Sequence, residues 1–369
     1  MRGGPSAYER AGVDYSVLDA AKRRSIGAVL SSLAAPRARG ARVEPGSVGE
    51  PAQLFEVDGI TLATVLECLG TKSEIARSFE EVAGPSCWGA IGKDALAAIV
   101  NDLACAGALP LVVSAYLATG SADWYAGERH GHFVEGFRQG CAEAGAAWVG
   151  GESPTLAGII EPAGADIAGS AVGRLPAGER PWSGERLEAG DEIVLVASSG
   201  LHANGASLAR RVAAELAGGW SERLESGRLF GEAVLEASVS YVPLVAALWD
   251  SGLGEKVHYA SHVTGHGLRK LMRADRRLSY HLSLLQPVPE VLSFLTARAG
   301  LSEEEAYATF NMGSGFALYL AAGSGTQAAA LAGAAGFEAL VAGRVEEGDR
   351  QVVLEPIGVR YSSEHLELR

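Results

Sequence analysis

The chain has 369 residues, 48% of them apolar and 20% charged, which is enough to bury ordinary cores and too apolar for a disordered chain. A formal net charge of −13 makes nucleic acids poor partners for the surface, and no run of about 18 uninterrupted apolar residues predicts a membrane span. The four cysteines, Cys68, Cys87, Cys105 and Cys141, form no CxxC spacing, so neither a zinc knuckle nor a disulfide framework is expected, and a reducing cytoplasmic location is.

In chain order, Arg37, Arg39 and Arg42 form a basic cluster that reads either as a solvated loop or as a phosphate-facing one. Residues 54–67 (LFEVDGITLATVLE) predict a β-hairpin turning at Asp58-Gly59. Gly70-Thr71-Lys72 follows as a loop that breaks the strand. Residues 92–106 (GKDALAAIVNDLACA) have the length and spacing of a buried helix. A strand is expected over 110–120, a long helix over 124–144, and buried strands over 148–152 and 165–173. Residues 176–191 (PAGERPWSGERLEAGD) are rich in Pro, Gly and charge, and divide an N-terminal unit, 1–175, from a C-terminal unit, 176–369.

The second unit restarts the alternation. A strand over 192–200 runs into a helix from Gly205, and a further helix lies near 240–250. HYASHVTGHG (258–267) leads to a helix start at Leu268. Strands are expected over 316–322, 338–343 and 351–356, with a helix over 327–335 between the first two. Both units are therefore mixed α/β.

The helix over 92–106 carries the most chemistry. Asp94 and Asn101 are seven residues apart, nearly two turns, so they project from one stripe, with Asp102 near its edge. Polar groups on an apolar helix are costly to bury unless paired or metal-bound, and a hard cation such as Mg²⁺ takes oxygen ligands of this kind. Equally, Asp94 caps the helix while Asn101 and Asp102 face water. Glu67 ends a strand beside Gly70, Thr71 and Lys72, the composition of a metal-and-phosphate corner, though such a triplet also occurs by chance. Gly150-Gly151-Glu152 ends another strand, either as a close-approach site or as a plain turn. The loop Ser198–Gly205, with Ser199, His202 and Asn204, offers backbone N–H groups and a helix N-terminus to an anion, or simply caps that helix. Walker, GxSxG and HExxH patterns are absent.

Taken in order, YERAGVD (8–14), GTK (70–72), IGKDALAAIVNDL (91–103), AYLATG (115–120), VGGES (149–153), DIAGSAVG (166–173), SSGLHANGASLAR (198–210), HVTGHG (262–267) and TFNMGSG (309–315) resemble the aminoimidazole ribonucleotide synthetase (phosphoribosylformylglycinamidine cyclo-ligase) family. The resemblance implies a cytoplasmic homodimer of two-domain α/β chains, with the N-terminal domains sharing a β-barrel and C-terminal α/β domains closing a cleft. It implies an ATP- and Mg²⁺-dependent ring closure of a phosphoribosyl substrate, with neither nucleic acid nor membrane as partner. Carried onto this chain, the catalytic residues are Lys72, His202 and Asp94. The nucleotide contacts are Gly70, Thr71, Lys72, Asn101, Gly150, Gly151, Ser199 and Asn204, and the metal ligands are Glu67, Asp94, Asp102 and Glu152. Under that reading Asp94→Ala abolishes ATP turnover and leaves the fold intact.

The chain departs from the family pattern at Glu67-Cys68-Leu69, where Asp-Gly-Val is usual, at Ser153, where Thr is usual, and at His266, where Gly is usual. The other readings are a different ATP-using enzyme of the same superfamily, a small-molecule kinase or synthetase, and a non-catalytic nucleotide-binding paralogue.

Overall fold

The computed structural model describes residues 15–363, so the YERAGVD segment lies outside the described residues. A first helix, α1 (Tyr15–Ser32), precedes the strands β1 (Ala41–Val43), β2 (Gln53–Val57) and β3 (Ile60–Cys68). The 54–67 hairpin forms as expected: Asp58 and Gly59 both take positive φ (51° and 77°), and Val57 pairs with Ile60 across the two-residue turn. The expected loop at 70–72 is shorter than anticipated, because Lys72 opens helix α2 (Lys72–Ala83). The expected buried helix is α3 (Trp88–Cys105).

Next come β4 (Leu109–Thr119), helix α4 (Glu128–Glu143), β5 (Ala147–Glu152) and β6 (Ala165–Arg174). The single helix expected over 124–144 is broken at Gly127, whose extended backbone separates a short turn, Asp123–Ala126, from α4. Strands β1 to β6 form one sheet in the order β1-β2-β3-β6-β4-β5, and β4–β5 is its parallel pair. Helices α3 and α4 cover one face. The other face stays open: Leu66 is 75% exposed, and Ile60 and Leu111 are exposed as well. β5 departs from expectation. All six of its residues are exposed, because it is an edge strand paired only with β4, not a buried strand.

The second sheet has seven strands in the order β13-β12-β9-β11-β7-β10-β8. They are β7 (Glu192–Ala197), β8 (Val257–His262), β9 (Leu278–Leu282), β10 (Ser314–Leu320), β11 (Ala339–Glu347), β12 (Gln351–Leu354) and β13 (Val359–Ser362). Helices α5 (Ala206–Glu215) and α6 (Val242–Asp250) belong to this half. Residues 176–191 carry no helix or strand beyond an isolated bridge between Ser183 and Tyr259. Every residue of β8 and β10 is buried; β10 accordingly shows no polar alternation from Phe316 to Leu320, whereas β8 buries His258, Ser261 and His262. The helix expected from Leu268 is a single 3-10 segment, Gly267–Met272. Among the described residues no helix is long and apolar enough to cross a membrane.

Helix α3 lies between the two sheets. One side packs on β3 and β6, another on β8 and α6. Fourteen of its residues are buried, among them Asp94 and Asn101. The chemistry-bearing residues gather along this seam.

Candidate active site

At one end of the seam the single stripe on α3 grips the second half of the molecule. Lys72 Nζ meets Asp94 Oδ2 at 2.7 Å, and both side chains are fully buried. Lys72 also donates to the Glu236 carbonyl at 3.1 Å. Asp94 Oδ1 accepts from the backbone N–H of Ser238 at 2.8 Å and from its hydroxyl at 2.5 Å. Seven residues on, Asn101 Nδ2 donates to the Val239 carbonyl at 2.9 Å, and its Oδ1 accepts from Tyr241 N–H at 2.8 Å. Three side chains thus hold residues 236–241 along the helix. The capping alternative does not hold: Asp94 lies inside α3, not at its end, and Asn101 does not face water, because this strap covers the stripe.

Beside the strap stands His202, buried, with a positive φ of 58°. Its Nε2 accepts from Ser199 N–H at 3.2 Å and more weakly from Val239 N–H at 3.5 Å. Two donors at Nε2 assign the ring proton to Nδ1, which has no hydrogen-bond partner among the described residues. Burial, then the charges of His262 and Lys72, push His202 well below the usual histidine range, so the ring is neutral. Tyr241 packs between His202 and His262, its hydroxyl donating to the Ala197 carbonyl. Gly315 makes room for them: a Cβ there meets Tyr241 Oη at 1.8 Å and His202 Cε1 at 3.0 Å.

Further along α3, Asp102 Oδ1 lies 2.9 Å from His262 Nδ1. Burial works to raise the Asp102 carboxyl, but the hydrogen bond and charge of His262, with Lys270 and Arg273, outweigh it and hold it below the usual range. Lys270 donates to Thr264 Oγ1. Desolvation and the neighbouring Arg273 push its ammonium down to about 8, against opposing pulls from Asp102, Cys105 and Glu67. Glu67 and Asp102 therefore share the field of Lys270, while Asp94 belongs to the other end of the seam. Arg273 is held by Glu50 at 3.3 Å.

The remaining expected residues are spread more widely. Thr71 Oγ1 is 3.1 Å from Ser207 Oγ, so the N-termini of α2 and α5 meet there, and Gly70 turns into α2 with φ 69°. Asn204 lies half-buried in the adjoining loop and makes no side-chain hydrogen bond among the described residues. Ser199 Oγ donates to the Ala237 carbonyl at 2.7 Å, another hold on the strap. Gly150, Gly151 and Glu152 lie on the exposed edge strand. Gly151 is needed there because a Cβ meets the Ala115 carbonyl oxygen at 1.7 Å. Arg37 and Arg39 are exposed, and Arg42 pairs loosely with Glu44 and Glu56.

These positions bear directly on Mg²⁺. Both Asp94 oxygens are already engaged by Lys72 and Ser238, and Glu152 stands apart on β5. The four carboxylates expected to bind metal do not form one coordination shell. Among the described residues the trio with ligand atoms in mutual reach is Glu188, Asp191 and His258. There Asp191 Oδ2 already accepts from Glu188 N–H and contacts His258 Nδ1 at 2.8 Å, an ordinary structural pair. Sequence reasoning missed Lys270, the partnership of His262 with Asp102, and the strap at 236–241. His262 lies in the HVTGHG segment, but nothing local in the sequence shows which groups these residues meet.

Residues 49–175 match the AIR synthase related protein N-terminal domain, and residues 188–355 match the AIR synthase related protein C-terminal domain. Phosphoribosylformylglycinamidine cyclo-ligase of Shouchella clausii is 35% identical over 71% of this chain and 76% of its own. The enzyme of the same name from Sorangium cellulosum is 33% identical over 92% of this chain and 94% of its own. The one from Synechococcus elongatus is 32% identical over 94% and 98%. Among solved structures, thiamine-monophosphate kinase from Stenotrophomonas maltophilia has a TM-score of 0.57 at 20% identity, covering 85% of this chain and 91% of that one. Hydrogenase maturation protein HypE in complex with ATP has a TM-score of 0.53 at 20% identity, covering 73% and 78%. At that identity these two speak for the fold alone.

Proposed function

The chain belongs to the AIR synthase related protein family, and on that premise we propose that it is an ATP-dependent cyclo-ligase closing formylglycinamidine ribonucleotide to aminoimidazole ribonucleotide in purine biosynthesis. The observation that carries this reading is the match of both family domains in order, with cyclo-ligases aligned over nearly their whole length. The formyl oxygen attacks the γ-phosphorus of ATP and ADP leaves. The amidine nitrogen then attacks the activated carbon, the oxygen departs as phosphate, and the nitrogen loses a proton. Such chemistry rests chiefly on positioning and charge placement.

The residues divide by geometry. Thr71, Gly70 and Asn204 stand where two helix N-termini meet, an arrangement that favours phosphate oxygens. Lys72, Asp94, Asn101 and Ser199 act first as clamps on the strap, and direct contact of Lys72 with ATP requires its ion pair to part. His202 is suited to donate from Nδ1 and not to accept a proton at Nε2, which is already occupied. Mg²⁺ belongs to this reading as the companion of ATP. The carboxylates as arranged offer it no common shell, so no step is routed through it here.

A cytoplasmic homodimer is part of the same reading. The open face and free edge of the first sheet support it, with Leu66 at 75% and Val149 at 60% exposure. Leu66→Glu is expected to shift a dimer to monomer in analytical ultracentrifugation. An unchanged sedimentation coefficient would count against this face as the contact.

The deciding assay incubates the protein with ATP, Mg²⁺ and formylglycinamidine ribonucleotide and measures ADP and the aminoimidazole together. Equal amounts of both are expected. ADP without the imidazole would point to a small-molecule kinase or synthetase of the superfamily, and neither product to a nucleotide-binding paralogue.

A further inference from the structure

Lys270 is a cation of the seam that the proposed chemistry leaves unused. It sits in the 3-10 segment Gly267–Met272 just after β8, and its carbonyl accepts from Ser261 Oγ at 3.1 Å, which fixes where the side chain begins. Its Nζ donates to Thr264 Oγ1 and, among the described residues, makes no other hydrogen bond and no ion pair within 4.0 Å. An ammonium has three N–H donors, so two remain unused. Enclosing such a group without a carboxylate is costly, and a lysine with a purely structural role is expected to be paired as Lys72 is, with Asp94 at 2.7 Å. As a residue Lys270 is only partly buried. Asp102, on the facing helix, is taken up by His262 at 2.9 Å. Asp102 and Lys270 feel each other's charge, but no ion pair joins them directly among the described residues.

We propose that Lys270 Nζ is an anion-binding group of the seam between the two sheets and takes a phosphate-type oxygen of a bound substrate. The assignment rests on the cyclo-ligase reading for which phosphate it meets, not for whether it meets one. Two sources share the chemistry: the phosphomonoester of a phosphoribosyl substrate, and the phosphoryl group leaving ATP. Either would gain charge-assisted hydrogen bonds from donors that are otherwise unsatisfied.

The test uses the full chain with Lys270→Met and Lys270→Arg, and Lys270→Gln should the methionine variant fail to fold. Titration calorimetry with inorganic phosphate and with ribose 5-phosphate is read first, then KM and kcat for both substrates. Loss of the ammonium is expected to weaken phosphate binding roughly 10- to 100-fold, with the arginine variant retaining most of it. A raised KM for the ribonucleotide alone assigns the phosphomonoester. A raised KM for ATP with a lowered kcat assigns the transferred phosphoryl group. Phosphate affinity and kinetic constants unchanged in the folded neutral variant overturn the proposal. If the native protein closes no ring yet binds phosphate through Lys270, the cyclo-ligase reading fails and this assignment stands.

Discussion

The two ends of the inter-sheet seam treat a lysine in opposite ways. At one end Lys72 is fully enclosed, ion-paired to Asp94 and bonded to the Glu236 carbonyl, and Asp94 in turn holds Ser238. At the other end Lys270 has one hydroxyl partner and, among the described residues, no carboxylate within ion-pair distance. A closed charge network fastens two halves of a protein together, whereas an open one is available to a ligand. The same helix, α3, supplies the carboxylate at both ends, so the difference lies in what the second half brings to it.

The sharpest way to break this comparison is to open the closed end. Asp94→Ala leaves the Lys72 ammonium buried and unpaired, and a loss of about 3–5 kcal/mol is expected in urea denaturation. Such a loss would run against the expectation that the substitution spares the fold, and activity lost in that variant would then report on stability as well as chemistry. Replacing both partners, Lys72→Met with Asp94→Leu, is expected to restore most of the loss. If the double variant is as unstable as the single one, the pair is not what matters at this end.

A smaller effect concerns His202, which sits between the ends. Its folded-state affinity for a proton is depressed, so the unfolded chain takes up a proton first as pH falls below about 6.5. The stability its neutral burial contributes is present above that pH and lost below it, at up to about 1.4 kcal/mol per pH unit. Urea midpoints at pH 7.5 and 5.5 are expected to differ less in His202→Gln than in the native protein. An identical drop in both would show that other groups drive it.

The smallest effect is expected at the open end. Lys270→Met removes a charge without an ion-pair partner among the described residues, and the stability of the variant should match or slightly exceed that of the native protein, by at most about 1 kcal/mol. A loss above about 2 kcal/mol would mean Lys270 is as structural as Lys72, and the contrast would vanish.

Local patterns made much of the fold legible. The Asp58-Gly59 turn, the buried helix α3, β6 and the apolar strands β7 and β10 all follow from turn chemistry and spacing. Strand β5 was read as buried because WVG is apolar, yet burial of an edge strand depends on what lies beside it. The break at Gly127 and the 3-10 turn after His266 were missed because short segments carry too little periodicity.

By itself, the sequence determined which residues could do chemistry and that Asp94 and Asn101 share one stripe, since helical spacing is a local property. Only the tertiary structure decided what that stripe meets. The strap at 236–241 lies more than 130 residues away in sequence, as the separations of its hydrogen bonds to Asp94 and Asn101 record, and nothing local announces it. Whether a buried carboxylate holds a metal, a lysine or a backbone amide depends on which group arrives from the other half, and packing alone brings it there.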